Sequence, residues 1–245
     1  MKAEEKGERI AKVIARAGVC SRREAEKFIE SGQVTVNGAR IVSPALNVTA
    51  KDEITVRGEK LAQAEEVRLW LYYKPPGLVT THKDEKGRST VFDVLPKHLP
   101  RLISVGRLDL NTEGLLLLTN DGAFSRYMEL PATGWKRCYR VRIYGLAGPE
   151  VLEKLAGGIT VDGIKYGKIG VEIEEEKKSG RNVWAIVTLT EGKNREIRKV
   201  FEHIGCKVSR LIRISYGPFR LGNLTPGEIK EVPHKALRDQ VGEIS

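Results

Sequence analysis

Residues 106–122 read GRLDLNTEGLLLLTNDG, a polar loop bounded by glycines that runs into four consecutive leucines. The apolar run at Leu115–Leu118 predicts a buried strand. Asp109 precedes this strand, where its carboxylate can reach a substrate while the strand anchors the loop to the core. The alternative is a turn aspartate whose side chain binds its own backbone. The segment therefore predicts an anchored loop with one candidate functional carboxylate.

Strand-like and helix-like segments mix irregularly on both sides of this loop. The strand patterns fall at 69–73, 115–118, 137–144, 169–173 and 183–190, and the helical patterns at 123–130, 149–155 and 195–204. This order predicts an α+β fold with a mixed, mainly antiparallel sheet and flanking helices, rather than regular βαβ units. Neither a GxxxxGK[ST] nor a GxGxxG sequence occurs, so no nucleotide cofactor is expected.

The first sixty residues predict a smaller α+β domain. An apolar stripe over residues 10–17 has helical spacing. Ser21 stands three residues before Glu24, which predicts a capping box at the start of a second helix. The pair Asn37–Gly38 lies between short apolar segments and suits the two positive φ angles of a hairpin turn. The segment therefore predicts two helices followed by a hairpin.

The charge balance favours a polyanionic partner. The chain has 245 residues, with 42 Lys and Arg against 32 Asp and Glu, and a formal net charge of +10. Nearly all of the excess lies after Glu66, and the segment 191–220 alone holds eight basic and three acidic residues. A basic surface of this kind fits nucleic acid. The alternative is an ordinary solvated helix face.

Several classes of protein are disfavoured. The cysteines Cys20, Cys138 and Cys206 are far apart without a CxxC pair, so neither a disulfide framework nor a zinc site is expected. The apolar runs fall well short of the ~20 residues that span a bilayer. The first residues lack the pattern of a secretory signal. We expect a reduced, cytoplasmic protein with no membrane segment and no metal.

Five segments resemble one group of RNA enzymes. Residues 21–38, SRREAEKFIESGQVTVNG, resemble the alpha-L RNA-binding motif, which covers about residues 8–58. The segment 106–122 resembles the central motif of the pseudouridine synthases. LYYKPPG at 71–77 is similar to their opening strand and turn, KRCYRV at 136–141 to their tyrosine-bearing strand, and EGKNREIRKVF at 191–201 with VSRLIR at 208–213 to their closing motif. The chain thus resembles the ribosomal branch with an N-terminal alpha-L motif, and its large-subunit members most.

This resemblance implies a domain plan. Residues 8–60 would form the alpha-L RNA-binding domain, and residues 61–67 a linker, which agrees with their polar, alanine-rich sequence. Residues 68–235 would form a catalytic domain with the α+β pseudouridine synthase fold. Residues 236–245 would form a C-terminal tail.

The resemblance also implies a reaction and a substrate. A specific uridine of ribosomal RNA, in the large-subunit 23S RNA, would be isomerised to pseudouridine after base flipping, without a cofactor and by a monomer. Asp109 matches the family's catalytic aspartate. Whether it attacks the sugar or the reaction runs through a glycal stays open.

Further site residues follow from the same resemblance. Lys193 is implied first as the cation that keeps Asp109 ionised, and Arg195 second. A base pocket is implied for Tyr139, Lys193, Arg195 and Leu211, and RNA contacts for Arg107, Arg22, Arg23, Lys27 and Arg198. Arg107 would enter the RNA where the base has left, although a loop salt bridge with Glu113 or Asp121 is an alternative.

Two other functions compete with this one. A non-catalytic RNA-binding factor in ribosome assembly would use the same basic surfaces without chemistry. A two-carboxylate hydrolase built on Asp109 and Glu113 would release free uracil rather than reattach it. A pocket that combines Asp109 with Tyr139 and a cation favours the isomerase.

Overall fold

The structure is a computed structural model that describes residues 7–63, 65–145, 149–174 and 182–242. The chain divides into two compact units. The first contains the residues up to 67 together with 97–102 and 120–122, and the second contains the rest. The two short segments group with the first unit, although the sequence assigned them to the second domain. Residue 64 of the predicted linker lies outside the described residues.

The first unit, over the residues described, contains two helices and short strands. They are β1 (Glu8–Arg9), α1 (Ile10–Arg16), α2 (Arg22–Glu30), β2 (Val34–Val36), β3 (Ala39–Ile41), β4 (Asn47–Val48), β5 (Ile54–Val56) and β6 (Glu59–Lys60). The predicted capping box is present, since Ser21 Oγ accepts from the Glu24 amide and the Glu24 carboxylate accepts from the Ser21 amide. Asn37 and Gly38 both have positive φ angles, as the hairpin prediction requires.

The core of this unit lies where the helices meet the sheet of order β3-β2-β5-β6. Ile10 and Ile14 of α1, Ile29 of α2 and Val34 of β2 are completely buried in it. The same helical period that buries Ile29 leaves the basic positions of α2 exposed. The core thus fixes the helix and leaves its charged face to solvent.

The second unit contains a large sheet with flanking helices. Its elements are β7 (Leu69–Lys74), β8 (Ile103–Val105), β9 (Glu113–Thr119), α3 (Gly122–Glu129), β10 (Arg137–Tyr144), α4 (Pro149–Gly157), β11 (Ile159–Val161), β12 (Ile164–Tyr166), β13 (Gly170–Ile173), β14 (Asn182–Leu189), α5 (Glu196–His203), β15 (Lys207–Tyr216), β16 (Phe219–Arg220), β17 (Ile229–Glu231) and α6 (His234–Val241). A short 3₁₀ helix covers Pro131–Thr133. None of the helices in the described part of the chain is long and apolar enough to cross a membrane.

The main sheet has the strand order β13-β14-β10-β15-β9-β7-β17, with β16 beside β15 and β8 beside β9. Every pairing in it is antiparallel except that of β9 with β15. All seven residues of β9 are buried, which accounts for the run of leucines. A mixed, mainly antiparallel sheet is what the sequence predicted.

Some elements were not predicted. Sequence patterns gave no strand at β8, β16 or β17 and no β11–β12 hairpin, because these strands have only two or three residues. The helix α6, also not predicted, covers the first part of the C-terminal tail expected at 236–245 and completely buries Leu237. Residues 243–245 lie outside the described part of the chain.

The parallel pairing of β9 with β15 requires a glycine. Gly114 lies opposite Arg213 and has a φ angle of +101°. A Cβ atom at this position would lie 2.4 Å from the Arg213 carbonyl oxygen and 2.8 Å from its amide nitrogen. Both atoms belong to backbone, so neither can move without disturbing the sheet. The two strands can approach this closely only where one of them has no side chain.

We predict that Gly114→Ala lowers the free energy of unfolding by at least about 2 kcal/mol, because it adds a backbone clash to an unfavourable φ. Gly163→Ala is the matched control, since Gly163 has a φ angle of +77° but open space around it. That variant should lose only about 1 kcal/mol. Urea unfolding measures both, and equal losses would show that the clash at β15 contributes nothing.

Candidate active site

A cleft of about 660 Å³ opens in the second unit. Its walls come from the loop before β9, from one face of β10 and β15, and from the loop before α5. A volume of this size suits a nucleotide-sized ligand. Six residues that the sequence singled out line it together, namely Arg107, Asp109, Tyr139, Lys193, Arg195 and Leu211.

The Asp109 side chain points to a cation rather than to its own turn. Its Oδ2 lies 3.6 Å from Arg195 Nη1, and 33% of the side chain is exposed. The main-chain carbonyl of Asp109 closes the turn by accepting from the Thr112 amide, which leaves the carboxylate out of the backbone bonding. The reading of Asp109 as a self-satisfied turn aspartate is therefore wrong.

The structure pairs Asp109 with Arg195 and not with Lys193, which the sequence ranked first. Lys193 Nζ donates to the Lys165 carbonyl at 2.8 Å and to the Glu191 carboxylate. It also lies 5.5 Å from the centre of the Tyr166 ring. These contacts attach the Lys193 ammonium to the β11–β12 hairpin and to Glu191 rather than to Asp109.

The backbone at Arg195 decides which cation reaches Asp109. Arg195 immediately precedes α5 and has a φ angle of +52°, in the left-handed region that non-glycine residues rarely adopt. Its carbonyl already accepts from the Lys199 amide in the first helical turn. From this position directly before the helix, the Arg195 side chain lines the cleft and reaches Asp109. Strain of this kind is typical of functional sites.

Tyr139 and Leu211 form an apolar part of the wall. They belong to the paired strands β10 and β15, where Tyr139 faces Arg213 across the ladder and Val141 faces Leu211. Alternation along the strands places both side chains on the same face of the sheet. Both are largely buried, so they offer the cleft a flat ring and an aliphatic surface.

Comparison with known proteins identifies the family of the chain. The family model described as RNA pseudouridylate synthase matches residues 68–203, which is more than half of the chain. The chain belongs to the RNA pseudouridylate synthase family. A second family model, described as S4 domain, matches residues 8–54. It covers the segment where the alpha-L RNA-binding motif was predicted, and that prediction is confirmed.

Similar proteins agree with this assignment. A Rickettsia felis protein named "Uncharacterized RNA pseudouridine synthase" is 51% identical over 230 residues, covering 94% of this chain and 99% of its own length. A Bacillus subtilis protein named "Ribosomal large subunit pseudouridine synthase B" is 38% identical over 232 residues, covering 94% and 95%. A solved structure described as "Crystal structure of pseudouridylate synthase" superposes with a TM-score of 0.66 at 27% identity, covering 95% of this chain and 99% of that chain.

These findings confirm the predicted α+β pseudouridine synthase fold, and they identify an isomerase that converts uridine in RNA to pseudouridine. The two competing functions lose their support. Glu113, the second carboxylate of the hydrolase alternative, is held by Arg210 at 2.7 Å and by the Tyr73 hydroxyl at 3.1 Å. Arg210 holds the pKa of this carboxyl below its usual range. Within the described residues Arg107, which is exposed in the cleft wall, forms no salt bridge with Glu113 or Asp121.

The loop of this pseudouridine synthase that carries Asp109 rests on a buried lysine. Lys74, at the end of β7, is completely buried. Its ammonium donates to the carbonyls of Pro75 at 3.0 Å, Leu110 at 3.4 Å and Thr112 at 2.9 Å. Burial lowers the pKa of Lys74 to about 8, while Asp109 favours its charged form. In the sequence analysis Lys74 is only part of the motif LYYKPPG, without a role of its own.

Arg198 supports the same loop from the other side. Its Nη2 donates to the Asn111 carbonyl at 2.9 Å and its Nη1 to the Val208 carbonyl at 3.0 Å. Burial lowers its pKa from the usual value. The sequence placed Arg198 among the RNA contacts, but two of its donors already bind the protein. In this structure Arg198 positions the Asp109 loop against α5 and β15.

A buried acid fixes the loop before α5. Glu196 is only 4% exposed, and its Oε2 accepts from the Lys193 amide at 2.9 Å. Burial raises the pKa of Glu196 to about 7; the hydrogen bond from the Lys193 amide opposes this rise, and the neighbouring Glu191 adds to it. Glu196 therefore holds its proton well above the usual range. Arg195 lies between these residues, so its conformation depends on them.

Among the described residues, no group of three or more His, Cys, Asp or Glu side chains is arranged to hold a metal ion. The charged groups that line the cleft are instead Asp109, the three glutamates Glu129, Glu191 and Glu196, and several cations. Such a set can bind an anionic polymer and can place a carboxylate next to a sugar carbon.

We predict that Glu196→Gln makes the protein more stable relative to wild type as pH rises. The folded-state pKa is raised, so between pH 4.5 and about 7 the folded wild type holds a proton that the unfolded chain has lost. The free energy of unfolding of the wild type therefore falls as pH rises through this window, whereas Glu196→Gln does not show this fall. The difference in free energy of unfolding between Glu196→Gln and wild type should grow by on the order of 2 kcal/mol between pH 4.5 and 7 and then stay constant.

Urea unfolding at pH 5 and pH 8 measures this difference. Glu202→Gln is the control, because Glu202 is exposed on the same helix. It should show no such growth. A constant difference between Glu196→Gln and wild type at the two pH values would contradict the prediction.

Proposed function

We propose that this pseudouridine synthase modifies a specific uridine in the large-subunit 23S ribosomal RNA and that Asp109 is its catalytic carboxylate. The observation that carries the proposal is the ion pair of Asp109 with Arg195 in a cleft that Tyr139 and Leu211 also line. The Bacillus subtilis relative, which covers 94% of the chain, is named for the large ribosomal subunit. The S4 domain adds a second RNA-binding element.

The reaction needs a carboxylate at the sugar. The bond from C1′ of ribose to N1 of uracil breaks, the base turns, and C5 of the base joins C1′. A carboxylate beside C1′ acts either as a nucleophile or as a base that leads to a glycal, and both routes need it ionised. Desolvation by bound RNA would favour protonation of Asp109. Arg195 opposes this, because a cation at 3.6 Å favours the charged form.

The target base must leave its helix before Asp109 can reach the ribose. Arg107 is exposed in the cleft wall two residues before Asp109, so it can occupy the gap left in the RNA. Tyr139 provides a ring for the flipped uracil, worth roughly 1–3 kcal/mol per stacked base. Leu211 completes the apolar side of the base pocket. No outside group or redox step is involved, so the reaction requires no cofactor.

The exposed face of α2 in the first unit supplies further RNA contacts. Arg22, Arg23 and Lys27 are exposed on this helix, and no described residue forms an ion pair or a hydrogen bond with their side chains. Cations without protein partners are available to phosphates. We place the protein in the cytoplasm, where ribosomal RNA of this kind is made, and expect it to act as a monomer.

The experiment that tests the proposal maps pseudouridines in ribosomal RNA from cells that lack this protein. One large-subunit pseudouridine should disappear and return when the wild-type chain is supplied. A full set of large-subunit pseudouridines in the deleted strain would refute the proposed substrate.

We predict that Asp109→Asn abolishes pseudouridine formation, with a loss of at least about 10³ in turnover, while RNA affinity stays within a few fold. The amide keeps the shape of the side chain but cannot act as nucleophile or base. Asp162→Asn is the control, since Asp162 lies in an exposed hairpin turn where Asn is equally suitable. Turnover is measured on unmodified ribosomal RNA transcripts. An active Asp109→Asn enzyme would remove Asp109 from the chemistry.

We also predict that replacing Arg22, Arg23 and Lys27 together by Gln weakens RNA binding and reduces its salt dependence. Each lost phosphate contact should reduce the slope of log K against log salt by about 0.7 to 0.9. Lys60→Gln is the control, because Lys60 already pairs with Glu53 in the same unit. Binding is measured at several salt concentrations. An unchanged slope in the triple variant would show that α2 does not contact RNA.

A further inference from the structure

Arg213 is a buried cation in the wall of the cleft. It lies on β15, is 2% exposed, and its Nε donates to the Leu115 carbonyl at 2.7 Å. Its guanidinium also lies 5.2 Å from the centre of the Tyr216 ring. Its Nη2 is buried and has no hydrogen-bond partner among the described residues. The protein thus fixes the group by one nitrogen and leaves another without an acceptor.

The charge of Arg213 is also unbalanced. Within the described residues no carboxylate forms an ion pair with it, whereas Arg140 and Arg210 of the same sheet each have one. The donors of Arg137, which lines the same cleft, do have acceptors within the protein, namely the Thr190 carbonyl and the Tyr216 hydroxyl. A buried guanidinium without a counter-charge and with an unmade hydrogen bond is costly. A ligand that enters the cleft can supply both.

The neighbours of Arg213 indicate what this ligand is. Tyr139 lies opposite Arg213 across the β10–β15 ladder, and Leu211 lies two residues earlier on the same face of β15. A ring, an aliphatic surface and one buried donor suit the edge of a flat base with a carbonyl oxygen. Phosphates suit the exposed Arg107, which also lines the cleft, whereas Arg195 pairs with Asp109.

We propose that the Arg213 guanidinium binds a carbonyl oxygen of the target uracil and stabilises the negative charge that the base acquires during the reaction. This inference rests on the proposed function. When the C1′–N1 bond breaks, its electron pair stays on N1, and the charge spreads to O2 and O4 of the base. It disappears once C5 has joined C1′, C5 has lost its proton and N1 has gained one. Arg213 thus acts only while the base is detached.

The contribution should appear in the chemical step rather than in binding. A positive group placed where charge develops lowers the barrier more than it strengthens the ground-state complex. Removing one donor of this kind typically costs on the order of 10²–10³ in turnover. Most of the affinity for RNA comes from phosphate contacts elsewhere and should persist.

The test measures pseudouridine formation and RNA affinity on unmodified transcripts of both ribosomal RNAs. The enzymes are wild type, Arg213→Met, Arg213→Lys and Arg142→Met. Arg142 is the matched control, because it is an exposed arginine on β10 that points to the opposite face of the sheet. We expect turnover to fall by about 10²–10³ for Arg213→Met and by about tenfold for Arg213→Lys. Affinity should change less than about threefold in all variants, and Arg142→Met should be fully active.

A second substrate carries 5-fluorouridine at the target position. Fluorine makes the uracil more acidic, so the detached base needs less stabilisation. Cleavage of its C1′–N1 bond is followed by mass spectrometry of the digested RNA. The rate of the wild type divided by the rate of Arg213→Met should be at least tenfold smaller with this substrate than with uridine. An equal ratio on the two substrates would overturn the proposal.

The outcomes distinguish a failure of the proposed role of Arg213 from a failure of the proposed function. If wild type forms no pseudouridine on either transcript, the proposed function fails. If wild type is active and Arg213→Met is equally active, only the role of Arg213 fails. A loss of affinity that matches the loss of turnover would show a phosphate contact instead. Should Arg213→Met not fold, Arg213→Lys decides, since it keeps the charge but not the planar donor pair.

Discussion

The parallel contact between β9 and β15 is the constraint on which the catalytic unit depends. Among the described residues it is the only pairing that joins the β7–β9 half of the sheet to the half built on β10 and β15. The first half ends in the loop with Asp109, and the second carries Tyr139, Leu211 and Arg213. Gly114 permits the contact, because the Arg213 backbone fills the space of a Cβ atom. The cleft exists because these two halves meet there.

The three cations around Asp109 have two different roles. Arg195 faces the carboxylate, whereas Lys74 and Arg198 bind the carbonyls of the three residues that follow it. Lys74 loses its hydration when it forms these bonds, and this burial lowers its pKa. A loop held in this way need not reorganise when RNA binds. Burial of Lys74 and Arg198 is unfavourable, but their hydrogen bonds hold the Asp109 carboxylate at a fixed position, which is what electrostatic catalysis requires.

Signals within a few residues of each other were predictable from the sequence. The Ser21–Glu24 capping box, the Asn37–Gly38 turn and the buried run at Leu115–Leu118 all depend on neighbours in the chain. The family motifs added the residues of the cleft. The choice between Lys193 and Arg195 was not predictable, because it depends on a left-handed backbone at one residue and on a carbonyl of the distant β12 strand.

Lys74 and Arg213, which the sequence did not single out, share one property. Lys74 ends the strand LWLYYK, and Arg213 lies within LIRIS, so each is a cation in an apolar strand. Such a residue is buried wherever the strand is buried, and burial of an uncompensated charge costs far more than packing an aliphatic side chain in its place. Lys74 recovers the cost from three carbonyls of the chain itself. Arg213 binds one carbonyl, and its Nη2 has no partner among the described residues, which leaves a donor for the uracil that we propose as its ligand.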